Sequence, residues 1–268
     1  MNRTQTANLG SKPTCYSDAF FDLLEDDAIR SARVIVPILL RVLEPSSVID
    51  VGCGRGAWLK AFEEHGISHV VGIDGDYVDR SRCLISASQF SAVDLSKPFR
   101  IEGSWELAVC LEVAEHLPFS MGPHLVQELT AAAPFVLFSA AIPGQGGTNH
   151  INEQWPSYWQ GLFANRGFDL LDPIRRHIRD DRRVEWWYRQ NIVLYASKTI
   201  VCENDALRRE REMTGNESLE WIHARVLKSH GSVRGTCRLL PPLIRAALRR
   251  KLDKWSTKDN DRELLRHR

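Results

Sequence analysis

The stretch "VIDVGCGRGAWLKAF", Val48 to Phe62, decides how this chain is read. An apolar run carrying one acid, Asp50, leads into glycine at alternate positions, Gly52, Gly54 and Gly56, and then into helical periodicity. Glycine inside regular structure is unfavourable, by roughly 0.5–1 kcal/mol against alanine. Three at this spacing, between a strand and a helix, predict a loop whose backbone passes close to something else. A tight turn alone does not require them.

Outward from this loop, strands and helices alternate. "SVIDV" reads as a buried strand and "RGAWLKAFEEHG" as a helix ended by Gly66. Then come the strand "HVVGID", the short helical piece "DYVDRSR", and the strands "FSAVDL" and "WELAVCLEV". The helix "GPHLVQELTAAA" precedes the strand "PFVLFSAAI", and "EQWPSYWQGLFANRG" reads as a helix interrupted near Pro156. "FDLLDPI" and "QNIVLYASK" are the last two strands. Continuous apolar strands alternating with helices predict a parallel sheet covered on both faces. Ahead of it, Ser17 to Val42 shows helical spacing after a loose arm, with Pro37 expected to start a new turn or kink the helix. The predicted organisation is an arm and helices over 1–45, a cofactor-binding domain over 46–200 and a basic helical extension over 201–268.

In a doubly wound sheet the ligand lies at the carboxyl ends of the strands. A dinucleotide loop is spaced G-x-G-x-x-G, with a helix N-terminus on the pyrophosphate. Here the third glycine comes one residue early, and the acid ahead of the glycines suits a cation better than a phosphate. Asp74 closes the second strand, where a carboxylate bonds ribose hydroxyls in such folds. Asp94 closes the third, within reach of an adenine amino group. An adenosyl group with a positively charged tail accounts for all these positions.

Those residues carry a resemblance. From about Val48 to Lys198 the chain resembles the class I S-adenosylmethionine-dependent methyltransferases. "VIDVGCGRG" is similar to their first motif, "VVGIDGD" to the ribose motif, "SAVDL" to the adenine motif and "WELAVCLEVAEHLP" to the fourth-strand motif. The resemblance implies a Rossmann-like α/β fold, a doubly wound seven-stranded sheet of order 3-2-1-4-5-7-6. Its last strand would be antiparallel, with helical extensions at both ends. It implies S-adenosyl-L-methionine as cofactor. Asp50 and Gly52 would face its methionine part, Gly54 and Gly56 would form the loop floor, Asp74 would bind ribose and Asp94 the adenine edge. Glu112 falls near the reactive sulfur, or else is a structural acid capping the following turn.

The least generic segment is "AIPGQGGTNHINEQWPSYWQGLF", Ala141 to Phe163, which overhangs the strand ends. It is similar to a subgroup of small-molecule methyltransferases associated with sugar or surface-glycan pathways. Asn152, Glu153, Trp155 and Tyr158 offer the polar and aromatic groups that a polyhydroxylated acceptor requires. "VEWWYRQN", Val184 to Asn191, is a second candidate wall. Trp159, Phe163 and Trp187 also read as core aromatics. An alcohol acceptor must lose a proton, and histidine is the usual base near neutral pH. His150, in the distinctive loop, is the expected general base; His116 in "AEHLP" reads as a second candidate or as scaffold. Glu112, His116, His150 and Glu153 lack the tight spacing of a metal site, so no metal is expected.

The composition fits an enzyme acting on small molecules. The chain has 268 residues, 43% apolar and 26% charged. Residues 201–268 carry a net charge of +6 and the first 200 carry −5, so the acidic body argues against nucleic acid. The alternatives are a nucleobase or RNA methyltransferase, which lacks support from any base-flipping motif, and an inactive cofactor-binding regulatory module. The basic tail has the character of a peripheral membrane-surface helix or of a packing helix. The polar N-terminus and six cysteines without a C-x-x-C pair predict a cytoplasmic protein with reduced thiols.

Overall fold

The computed structural model describes residues 18–215 and 222–226, with the side chains of the first helix from Asp26 onward. Two units divide the chain, 1–221 and 222–268. In the second, the described residues form one helical turn, with Val226 N–H donating to His223 O at 2.9 Å. The rest of the expected basic helix lies outside the described residues. No described helix is long and apolar enough to cross a membrane.

Within the first unit the elements run α1 (Asp18–Leu39), β1 (Ser47–Val51), α2 (Ala57–Glu64), β2 (His69–Asp74), β3 (Phe90–Ala92) and β4 (Leu107–Leu111). They continue with α3 (Gly122–Ala132), β5 (Phe135–Ser139), α4 (Pro156–Asn165), β6 (Phe168–Leu171), α5 (Arg175–Ile178), α6 (Trp186–Asn191), β7 (Val193–Ser197), α7 (Lys198–Glu203) and α8 (Asp205–Gly215). The seven strands form one sheet in the order β3-β2-β1-β4-β5-β7-β6. β7 is antiparallel to both neighbours, with Phe138 opposite Val193 and Leu170 opposite Tyr195. The other pairs are parallel, with Val48 opposite Val70 and Asp50 opposite Val109. Order and directions are those expected from the resemblance.

Every residue of β1 and β4 is buried, because both sheet faces are covered. One core joins Ile35 and Leu39 of α1 to Leu59 and Phe62 of α2 and Tyr188 of α6. The other joins Leu125 and Leu129 of α3 to Trp159 and Phe163 of α4 and Tyr195 of β7. Trp159 and Phe163 are both buried, Phe163 stacking on Tyr195 at 3.8 Å, so their core reading holds, whereas Trp187 is only partly buried. Cys53, Cys83, Cys110 and Cys202 are free thiols.

Two prolines act differently from expectation. α1 continues through Pro37 and stops two residues later, so the ring disturbs only the final turn. Pro156 does not interrupt α4 but begins it, following an extended Trp155 (φ −66°, ψ 149°). Proline's missing N–H costs nothing at a first helical position.

Candidate active site

The carboxyl ends of β1, β2 and β4 open into a cleft of about 1110 Å³. Asp50, Gly52, Gly54, Asp74, Asp94, Glu112, His116 and His150 all line it. Gly56 does not.

Two physical reasons account for the three glycines. All have positive φ, 82°, 53° and 85° in chain order. A Cβ on Gly52 would stand 2.3 Å from Val113 Cγ2, and one on Gly56 2.9 Å from Ile85 Cγ1. A Cβ on Gly54 would meet nothing within 4 Å. Gly52 and Gly56 are therefore packing glycines, and Gly54 faces open space. Gly54→Val is expected to abolish cofactor binding while the sheet still melts cooperatively. Gly52→Ala is expected to lower the melting temperature, because overpacking costs about 1–3 kcal/mol and the left-handed backbone adds strain. Circular dichroism melts beside cofactor titrations separate the two. Because Gly54 too has positive φ, some loss of stability is expected in both variants, and parental cofactor affinity in Gly54→Val would reduce Gly54 to a turn residue.

Asp50 is buried, and its Oδ2 has no hydrogen-bond partner. Burial and then Asp74 push its carboxyl well above the usual range. Asp74 Oδ2 accepts from Gly54 N–H at 2.7 Å, and Oδ1 accepts from Gly75 N–H at 2.6 Å and the Tyr77 hydroxyl at 2.5 Å. Its pKa is still raised, since burial outweighs these donors. Asp94 lies two residues beyond β3. It pairs with Lys97 at 2.7 Å and accepts from the Ser96 hydroxyl, which together hold its pKa at about 2.

Glu112 follows β4 in the left-handed region, φ 55°. For a non-glycine residue this costs roughly 1–2 kcal/mol. Its N–H donates to Ser139, and its two carboxylate oxygens accept from Asn191 at 3.1 Å and Gln145 at 3.0 Å. These partners lie far along the chain, and nothing local in the sequence points to them.

The loop after β5 is stapled onto the turn after β4. Ile151 and Asn152 N–H both donate to Glu115 O, and the Asn152 side chain donates to Ala114 O at 3.2 Å. Asn152 is thereby buried as a brace, and it is not among the cleft-lining residues. Glu153, Trp155 and Tyr158 are also outside the lining. Glu153 accepts from Gly144 and Gly146 N–H and from His150 Nδ1 at 3.1 Å. Burial raises its pKa, but His150 and the two glycine amides outweigh it and the net shift is downward. Trp155 is exposed, and Tyr158 packs on Trp159 and Phe119. The aromatic lining comes instead from Trp186, Trp187 and Tyr188, the second candidate wall.

The staple brings His150 against His116, with ring centroids 4.9 Å apart and perpendicular. Burial, then His150, lowers the His116 pKa to about 4, so that ring is neutral at physiological pH. Beneath them lies Glu115, a residue the sequence reading did not single out. It is fully buried, and neither carboxylate oxygen makes a hydrogen bond of full geometry, although the backbone of Glu115 and Ala141 and the Glu112 side chain lie close enough to act on it. Burial, then Glu112, raises its pKa well above the ordinary 4.5. The folded state therefore holds this proton more tightly than the unfolded state. The resulting stabilisation is full below about 4.5 and is lost as pH rises toward the raised folded value. Glu115→Gln is expected to be more stable than the parent at pH 8, by about 1–3 kcal/mol, with the difference shrinking toward pH 5. Denaturant melts across that range in chelator-treated buffer check this; a difference that grows toward acid would contradict it.

The residues present fit S-adenosylmethionine. An orphaned buried carboxylate awaits a cation at Asp50, open space faces Gly54, and Asp74 stands at the end of β2. This chain belongs to the methyltransferase-domain family, whose model matches residues 28–173, more than half of its length. Fold and site together define an S-adenosylmethionine-dependent methyltransferase domain. The sugar N-methyltransferase KedS8 of Streptoalloteichus has the same fold, at 14% identity and a TM-score of 0.53, over 74% of this chain and 99% of that one. Magnesium protoporphyrin IX methyltransferase of Synechocystis, solved with S-adenosylmethionine bound, matches at 15% identity and a TM-score of 0.45, over 71% and 86%. A Nostoc punctiforme protein described as a candidate O-methyltransferase matches at 15% identity and a TM-score of 0.49, over 66% of this chain. The chain spans 59% of that protein's length. Comparison with curated proteins gives no match.

Proposed function

We propose that this chain transfers a methyl group from S-adenosylmethionine to a hydroxyl of a small polyhydroxylated acceptor of sugar type. One observation carries the reading: His150, held by Glu153, faces the same cleft as Asp50, Gly54 and Asp74. Glu153 is an acceptor only, so Nδ1 carries the proton and Nε2 the lone pair. In this reading Asp74 bonds the ribose hydroxyls, Asp50 faces the cationic end of the cofactor, and Asp94, which lines the same cleft, borders the adenine edge. Trp186 and Trp187, set at 80° to each other, each offer one indole face to the C–H side of a sugar ring. His150 accepts the hydroxyl proton as the new C–O bond forms and the S–C bond breaks. The products are a methyl ether and S-adenosylhomocysteine, and the imidazolium returns its proton to solvent. Alignment supplies much of the catalysis, on the order of 7–11 kcal/mol for a good near-attack geometry.

The test is release of S-adenosylhomocysteine from incubations with nucleotide sugars, amino sugars, free glycans and RNA. Turnover confined to hydroxylated sugars supports the reading. Turnover on amino sugars alone would change the acceptor atom to nitrogen, and turnover on RNA alone would overturn the acceptor class.

A further inference from the structure

Glu115 is the group that methyl transfer leaves without a task. A fully buried carboxyl beside the half-buried Glu112 carboxylate stays neutral by keeping its proton, and a cation bound to it is what lets it ionise there. The groups above it are two imidazoles. One ligand atom each from Glu115, His116 and His150 lie within 4.8 Å of one another. We propose that these three residues bind a divalent first-row transition cation at the floor of the cleft, with its remaining positions open toward the acceptor.

The donor set, one carboxylate and two imidazoles with an open side, suits Zn²⁺, Co²⁺ or Mn²⁺. Ligand atoms about 2.1 Å from one cation lie at most about 4.2 Å apart. Small side-chain rotations therefore close the set. Both imidazoles already have the outer partner that a metal-bound histidine uses to fix its ring. His150 Nδ1 bonds Glu153, which leaves Nε2 for the cation. His116 bonds the Asn149 backbone. Gly147 lies against the His150 ring, where a Cβ would collide with Nε2 at 2.2 Å, so a glycine there is what lets the imidazole sit in the cleft. The backbone staples from Ile151 and Asn152 to Glu115 hold the loop that carries His150 in place.

This rests on the methyl-transfer reading only for the acceptor, and it revises that reading's base step. A cation here lowers the pKa of an acceptor hydroxyl that reaches it. With the cation bound, His150 Nε2 would serve as ligand instead of base, and the acidified hydroxyl would pass its proton to water in the open cleft.

The full chain, stripped with chelator, is titrated with Co²⁺ and followed by visible absorption, in parallel with Glu115→Gln and His150→Ala. One equivalent is expected to bind to the parent. Each variant is expected to lose at least tenfold in Co²⁺ affinity while keeping its S-adenosylmethionine affinity, which shows that it is folded. Absence of uptake by the parent overturns the proposal, whatever the variants do. Uptake unchanged in both variants overturns it as well. Loss of S-adenosylmethionine binding in Glu115→Gln, beside unchanged Co²⁺ uptake, would assign that carboxylate to the cofactor instead. Intact Co²⁺ binding without turnover on any acceptor would overturn the methyl-transfer reading and leave the site standing.

Discussion

Asp74→Ala is expected to weaken S-adenosylmethionine binding by roughly 10²–10⁴-fold. A carboxylate that bonds two ribose hydroxyls makes two charge-assisted hydrogen bonds, each worth about 1.5–3 kcal/mol, and every 1.4 kcal/mol is about tenfold. The local geometry sharpens the test. Asp74 Oδ1 already accepts from Gly75 N–H and the Tyr77 hydroxyl, while Oδ2 accepts from Gly54 N–H alone. A ribose hydroxyl approaching Oδ1 competes with Tyr77. Tyr77→Phe is therefore expected to raise affinity, by up to about tenfold. Calorimetry on both variants decides the matter. Unchanged affinity in Asp74→Ala would remove the ribose assignment, and lower affinity in Tyr77→Phe would make that hydroxyl part of the cofactor site.

His150→Ala is expected to lower turnover by about 10²–10⁴-fold, the usual contribution of a general base, with cofactor affinity nearly unchanged. The structural reason is separation of roles. His150 stands with His116 and Glu115, whereas the three donors to the Asp74 carboxylate come from Gly54, Gly75 and Tyr77. His116→Ala completes the comparison. Its ring, held near a pKa of 4, is a poor base at neutral pH. If His150 acts alone as base, His116→Ala retains near-parental single-turnover rates. If the two rings share a cation, both variants are comparably inactive. A near-normal rate for His150→Ala sinks both roles.

Most of the fold was legible in local sequence. The buried strands are short apolar runs bounded by glycine, proline and acids, and these patterns are local. The acids Asp50 and Asp74 and the loop between β1 and α2 could be read because their spacing is a property of one strand and one turn. Boundaries were less secure, as Pro156 shows, because proline is as well suited to beginning a helix as to breaking one.

The chemistry of the second half of the cleft was legible only in part. His150 and His116 stand out by residue type. Glu115 did not, since an acid three positions after Glu112 in a turn reads as surface. Asn152 and Tyr158, read as acceptor contacts, are placed as a brace and a packing ring. In isolation a polar side chain in a loop carries no sign of which carbonyl it will meet.

By itself, then, the sequence determined the strands, the helices and the glycine loop that marks the cofactor end, because these follow from periodicity and spacing within single elements, while the strand order was implied only by the motifs' resemblance to a known family. The tertiary structure decided the rest. It set Gln145 and Asn191 on the Glu112 carboxylate and bonded the chain after His150 to the backbone of Glu115. It thereby gathered Glu115, His116 and His150 into one cluster. His150 is distant in the chain from Glu115 and His116, and it meets them only because β4 and β5 are parallel neighbours whose loops leave the same edge of the sheet.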